Sequence, residues 1–212
     1  MKSFMKNYFF LPACVIILLF TNACGGTFSV DLSSSDSTNQ LKEKIGKHIK
    51  DDDKVVEIRF GTTSSAFTSD MEQATVNFYE AGKTEPKCLI VPLGFGDTRT
   101  FPPSSFAFDK DDDTNTNRAV GISFSDVDFS KIHTNIAKAI TIMESDSVSM
   151  PYSGIGDYTM KMPYPDKITH VFKLQSAGET KAAAGNRGLS LNTTYYECEF
   201  VADAEGNVIL KK

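Results

Sequence analysis

Apolar residues recur at Leu41, Ile45 and Ile49, with Lys42, Glu43, Lys44 and Lys47 between them. Spacing of four places one apolar stripe along a helix and leaves the charges facing out. Ser37 or Thr38 can cap it, and Ser37 with Gln40 has capping-box spacing. Asp51, Asp52 and Asp53 would oppose the negative end of the helix dipole, so they are expected in the turn beyond it. A second stripe, Ile132, Ile136, Ile140 and Met143 with Ala139 beside it, predicts a helix from about Asp128 or Ser130. Elsewhere the period shortens to two, which predicts strands. Residues 55–60 place Val56, Ile58 and Phe60 on one side, 74–80 place Ala74, Val76 and Phe78 together, and 118–124 do the same with Val120, Ile122 and Phe124. Residues 87–93 form a nearly continuous apolar run. Further strands are expected over 157–162, 168–175, 193–202 and 208–211, the last two joined by a turn in which Gly206 and Asn207 tolerate positive φ.

The order is one helix then four strands, twice. The side chains do not visibly repeat, so the duplication lies in element order. Runs of strands after a single helix favour hairpin connections, hence an α+β fold with two helices packed on antiparallel sheet. The halves divide at 40–125 and 126–212. Residues 27–39 are rich in Ser, Thr and Asp and predict a flexible tether, so 24–39 is expected to be linker. The element order, with its closing strand, acidic-Gly turn and short strand over 195–209, is similar to the PepSY-like and beta-lactamase-inhibitor-like folds of exported bacterial proteins. The likeness covers that hairpin and the general order of elements, and brings no motif of binding residues.

The first 23 residues have another use. Lys2 and Lys6 precede an apolar run over residues 8–20. That is short of the roughly 20 residues a spanning helix needs, and fits the core of an export signal. The run ends at Thr21-Asn22-Ala23-Cys24, which resembles the lipobox of bacterial lipoproteins, with Thr21 and Phe20 in place of the usual Leu. Leu11-Pro12-Ala13-Cys14 has the lipobox letters too, but almost no apolar run precedes it. Ordinary secretion with cleavage near Ala23 is the other alternative. The resemblance implies that residues 1–23 are removed and that Cys24 is lipidated, which holds the chain at the bacterial envelope, in the outer membrane on its periplasmic or surface face. Several acyl chains give stable anchoring where one is marginal. Loss of both lysines leaves 20 basic against 27 acidic side chains, a net charge of −7.

Composition narrows the function. The 212 residues are 41% hydrophobic and 23% charged, a globular balance. Net charge −5 and a pI near 5.2 exclude nucleic acid as the main partner, since phosphate binding needs a concentrated basic face. Trp is absent and Phe numbers 16, so any stacking surface is built from Phe and Tyr.

Two long connections stand out. Residues 94–117 carry Phe95, Phe101, Phe106 and Phe108 around Pro102-Pro103, rings that either fold back on the sheet or meet a partner. Residues 176–192 are small and polar and read as a mobile loop. Tyr152, Tyr158 and Tyr195 join the four Phe as candidate contacts, because one tyrosine of each adjacent strand pair points outward. Catalytic signals are thin. Asp109, Asp111 and Asp113 alternate as in a calcium loop, but Thr114 and Val120 stand where that loop needs Gly and Glu, so no metal is expected. His48, His133 and His170 are far apart, and neither a nucleophile elbow nor a phosphate loop is present, so no cofactor is expected. Cys88 and Cys198 lie in strands, as buried thiols or as a disulfide. The sum is a membrane-anchored binding module for a protein or glycan. The alternatives are an envelope hydrolase or transferase with a site dispersed in sequence, and a structural envelope-assembly subunit.

Overall fold

The alternating segments close into one sheet because their apolar sides can be buried only together. The computed structural model describes residues 29–62, 68–102, 121–145, 148–185 and 188–211, with the side chains of 179–193 excepted. Strand β1 (Val30–Asp31) precedes helix α1 (Ser37–Gly46). Then come β2 (Lys54–Gly61), β3 (Asp70–Met71), β4 (Gln73–Tyr79), β5 (Pro86–Pro92), β6 (Arg99–Phe101) and β7 (Ile122–Ser123). A 3₁₀ turn (Phe124–Asp126) leads to α2 (Ser130–Met143), β8 (Gly154–Lys161), β9 (Thr169–Gly185), β10 (Gly188–Ala202) and β11 (Val208–Leu210). The main sheet runs β11-β10-β9-β8-β2-β4-β5-β6, antiparallel throughout, with β7 beside the start of β2. β1 and β3 form a separate antiparallel pair. Each set of four main strands is thus a meander, and the two meet where β2 pairs with β8. The α+β architecture with two described helices on a large antiparallel sheet is as the patterning predicts.

One face of the sheet carries the core. In successive cross-strand register, Phe60, Tyr158, Phe172 and Phe200 form a row of rings. Their centroids are 6.4, 4.9 and 5.7 Å apart, the last two contacts stacked. Such pairs add about 0.5–1.5 kcal/mol each beyond the area they bury. Leu41 and Ile45 of α1 and Ile132, Ile136, Ala139 and Met143 of α2 are buried in the same core. α2 lies against β10 and β11 and touches α1.

Several expectations need correction. Residues 29–39 are not tether: Val30 and Leu32 are fully buried, and α1 already begins at Ser37. Two apolar residues make no legible period, so only their neighbours reveal them. Asp36 rather than Ser37 or Thr38 precedes the helix, and its side chain makes no capping bond. Asp53 is buried for a reason sequence alone does not supply: it accepts from the backbone N–H of Lys50 and of Ala81, both at 3.0 Å, pinning two turns together. The small polar segment 176–192 is not a loop, because β9 runs through it to Gly185 and β10 begins at Gly188. Main-chain pairing carries those strands, and it needs no hydrophobic alternation. Residues 99–101 of the Phe-rich connection are strand β6.

Of the expected strand 118–124, only Ile122–Ser123 pairs within the described residues, and Phe124 opens the 3₁₀ turn. Gly121 turns the chain there at φ 85°, and a Cβ would lie 2.8 Å from the carbonyl oxygen of Val55. Backbone cannot yield as a side-chain tip can. Gly121→Ala is therefore expected to destabilise by about 1–3 kcal/mol, read as a shifted urea midpoint with unchanged slope.

Candidate functional site

The outer face of the sheet is where alternation sends the remaining side chains, and it is more ordered than a solvated surface requires. On β2 and β4, Asn77 Nδ2 donates to Glu57 Oε1 at 3.2 Å, and both residues are almost fully buried. Arg59 lies 3.6 Å from the same carboxylate but is largely exposed. On β8, the strand paired with β2, a bulge between Ile155 and Asp157 adds Gly156. A side chain at Gly156 would sit 3.0 Å from Glu197 Oε1 and 3.3 Å from Gln175 Nε2, so the bulge leaves room for the bond between those groups, 3.1 Å long. Lys173 Nζ stands 3.6 Å from the other oxygen of Glu197.

Asp157 lies among these groups. Its Oδ1 is buried and has no hydrogen-bond partner among the described residues. Burial pushes its carboxyl above the usual aspartate range; Glu197 and Glu199 push the same way, and Lys173 and Arg59 push back. A buried acceptor left without a donor costs about 1–3 kcal/mol, so Asp157 sits in the strip at a cost to folding. Glu199 is held by Lys211 at 2.8 Å. Tyr195, on the same side of β10 as Glu197, is 51% exposed at the edge of this strip.

The seven aromatic candidates divide differently. Phe95 is 71% exposed in the β5–β6 turn and Phe101 is exposed on β6. Phe106 and Phe108 lie outside the described residues. β6 and β10 stand six strands apart, about 29 Å at 4.8 Å per strand, so Phe95 and Phe101 are not brought to Tyr195. Tyr158 is not an outward contact: it is fully buried in the aromatic row, and its hydroxyl approaches His170 Nδ1 at 2.9 Å. Its alternation parity is that of Phe172 and Phe200, which β-pairing alone reveals. Tyr152 is half-buried, and burial pushes its phenol up to about 12.

The histidines do not converge. His48 is exposed beside Thr98, His133 is on α2, and His170 is sealed in the core. Cys88 and Cys198 are unpaired thiols that burial pushes above the usual range. They cannot meet: Cys198 belongs to the core cluster, whereas Cys88 shares the outer row with Asn77 and lies five strands away. An open concavity of about 560 Å³ between Lys54, Ile122, Asp126 and Ile168 offers one amine, already bonded to Ser123 Oγ at 2.8 Å. Among the described residues no His, Cys, Asp or Glu groups are disposed to hold a metal, and no helix is long and apolar enough to cross a membrane.

The residues of the outer strip, Asp157, Lys173, Gln175 and Glu197 with Arg59, were not legible as a set. Each occupies an outward position of a predicted strand, but only register places them side by side. The chain matches no protein-family model, no curated protein and no solved structure.

Proposed function

We propose that the chain is a lipid-anchored protein of the bacterial envelope, in the outer membrane through Cys24, and that it acts as a binding module for a protein or glycan. The observation that carries this reading is the outer strip: amide, carboxylate and ammonium groups held side by side on adjacent strands, and an exposed tyrosine beside them. A rigid sheet presents such groups with little ordering cost on binding. Sugar hydroxyls or the polar groups of a protein surface both suit it, and the acidic chain does not suit nucleic acid.

The fold also limits the anchor. Val30 is buried, so only residues 25–29 separate it from Cys24. At about 3.3–3.6 Å per residue the lipid lies within roughly 20 Å of the core, and the domain rides close to the bilayer. The two meanders, each preceded by a helix, support reading the halves as tandem copies of one unit akin to the PepSY-like folds.

Two measurements test the proposal. Metabolic labelling with palmitate should mark the wild type and not Cys24→Ala; label retained by that variant rejects the anchor. Tyr195→Ala with Glu197→Ala should reduce capture on intact envelope material at least tenfold while leaving the melting temperature within a few degrees. Undiminished capture would reject the strip as the contact surface. The second reading, an envelope enzyme, has less support, because His170 is walled off from solvent.

A further inference from the structure

Along one side of β2 two strands lie end to end. β7 pairs with Lys54 and Val55, and β8 pairs with Glu57 through Phe60. The change of partner falls at Val56, whose carbonyl accepts from the N–H of Met162 at 2.7 Å. Beside this junction lies the cleft of about 560 Å³, lined by Lys54, Ile122 and Ser123 of the β2–β7 pair, Asp126 of the 3₁₀ turn, and Pro165 and Ile168 between β8 and β9. Backbone bonds tie its walls together. The Gly121 N–H donates to the Pro163 carbonyl at 2.7 Å, that of Phe124 to Asp53 at 3.0 Å and that of Lys167 to Tyr164 at 3.0 Å. A cleft so pinned needs little ordering to receive a ligand. Lys54 stands across the ladder from Ser123, and its Nζ donates to Ser123 Oγ at 2.8 Å. That bond holds the ammonium at the cleft and uses one of its three protons. Among the described residues no carboxylate pairs with Lys54, and the exposed Asp126 makes neither a hydrogen bond nor an ion pair. The outer strip differs, since there Arg59, Lys173 and Lys211 are each beside a glutamate.

We propose that this cleft binds a small zwitterion: a short peptide with both termini free and an apolar side chain between them. The peptide carboxylate meets the remaining protons of Lys54, its ammonium meets Asp126, and its side chain covers Ile122 and Ile168. Charge complementarity selects this class, because an anion or a cation alone answers only one of the two uncommitted groups. Asp166, on the same wall, adds to the field that favours an ammonium over a second carboxylate. Pockets of roughly 300–1,000 Å³ hold drug-sized ligands, so a peptide of about two or three residues fits. The site lies apart from the outer strip and needs neither it nor a lipid at Cys24, so it goes beyond the function proposed above.

The test is calorimetric titration of the full chain, extracted in detergent, with the tripeptide Ala-Leu-Ala in free, N-acetylated and C-amidated forms. The free peptide should bind, and each capped form should bind about tenfold more weakly or worse. In Asp126→Asn the free peptide should lose a similar factor, and acetylation should then cost nothing further. In Lys54→Met, which keeps an unbranched stem at the cleft, amidation should likewise cost nothing further. Urea midpoints of both variants show that the fold persists. No binding of the free peptide, or equal binding of all three forms, overturns the proposal, and this comparison uses the unsubstituted chain alone. Amidated peptide binding as tightly as free peptide overturns it in favour of a simple ammonium site. Full sensitivity to acetylation in Asp126→Asn, or to amidation in Lys54→Met, places the recognising charge elsewhere and overturns it too.

Discussion

Leu32→Ala is expected to cost about 2–5 kcal/mol of folding stability, the range for emptying a buried leucine site. Leu32 has no solvent exposure, and its backbone N–H donates to the carbonyl of Ser69 at 3.0 Å. Val30 beside it pairs with Met71, itself fully buried, so the β1–β3 pair closes the end of the core where β2 stops and β4 begins. Removing three carbons there leaves a cavity that the backbone pairing prevents from collapsing. Ser35→Ala, three residues on and exposed, should change stability by less than about 0.5 kcal/mol. Urea unfolding of both variants at one pH separates a folded segment from a linker: equal midpoints would return residues 29–36 to the tether. The result bears on function, because it fixes how far the domain could stand from the lipid proposed for Cys24.

The second large effect is a loss of stability in acid, on the order of 3 kcal/mol, centred on His170. The ring is buried in the core, where Asn135 Nδ2 donates to the Tyr158 oxygen at 3.4 Å and the Tyr158 hydroxyl meets His170 Nδ1 at 2.9 Å. For Tyr158 to donate onward, Nδ1 must carry no proton, so the network fits the neutral imidazole. Burial pushes the His170 pKa down from 6.5 to about 4; Asp128 at the start of α2 pulls it up and Lys131 pushes it further down. Unfolded chains take up this proton near pH 6.5 and folded chains only near pH 4. Between those values the unfolded state binds more protons, so stability falls as pH falls, by 1.36 kcal/mol for each unit of difference. Above pH 6.5 the contribution is constant. His170→Gln keeps an acceptor for Tyr158 without the titration. It should be less stable than wild type at pH 7.5 by about 1–2 kcal/mol, yet lose less between pH 6.5 and 4.5. Parallel loss in both proteins over that interval would place the acid sensitivity elsewhere.

The same network shows where sequence reasoning stops. In the sequence, Ile168, His170 and Phe172 alternate, which puts His170 on an apolar side of its strand. That alternation could not show that β8 brings Tyr158 across from Phe172, or that α2 lowers Asn135 onto the pair. Alternation alone allows Tyr158 to point outward, because neighbouring strand residues must split between faces and which face is inside is a tertiary fact. The tyrosines at 195 and 196 are both more than half exposed for a local reason. β10 is irregular between Thr193 and Tyr195, and the Tyr196 ring lies over Gly178, where a Cβ would stand 3.0 Å from its Cε2. An aromatic ring over a glycine across the ladder covers backbone that no side chain at 178 protects.

By itself the amino-acid sequence determined the two helices, the main strands and their antiparallel class, since hydrophobic period is a local property and a hairpin needs only a local turn. It also marked Cys24 at the end of an apolar run as the expected point of attachment. Tertiary structure decided which strands are neighbours, which side of each faces the core, that Val30 and Leu32 belong inside, and that a small polar stretch continues as a paired ribbon. The first three outcomes depend on cross-strand register, which is set largely by the total apolar area two segments can bury together, and the ribbon depends on main-chain pairing between two segments. Both belong to pairs of segments and are not written in either one.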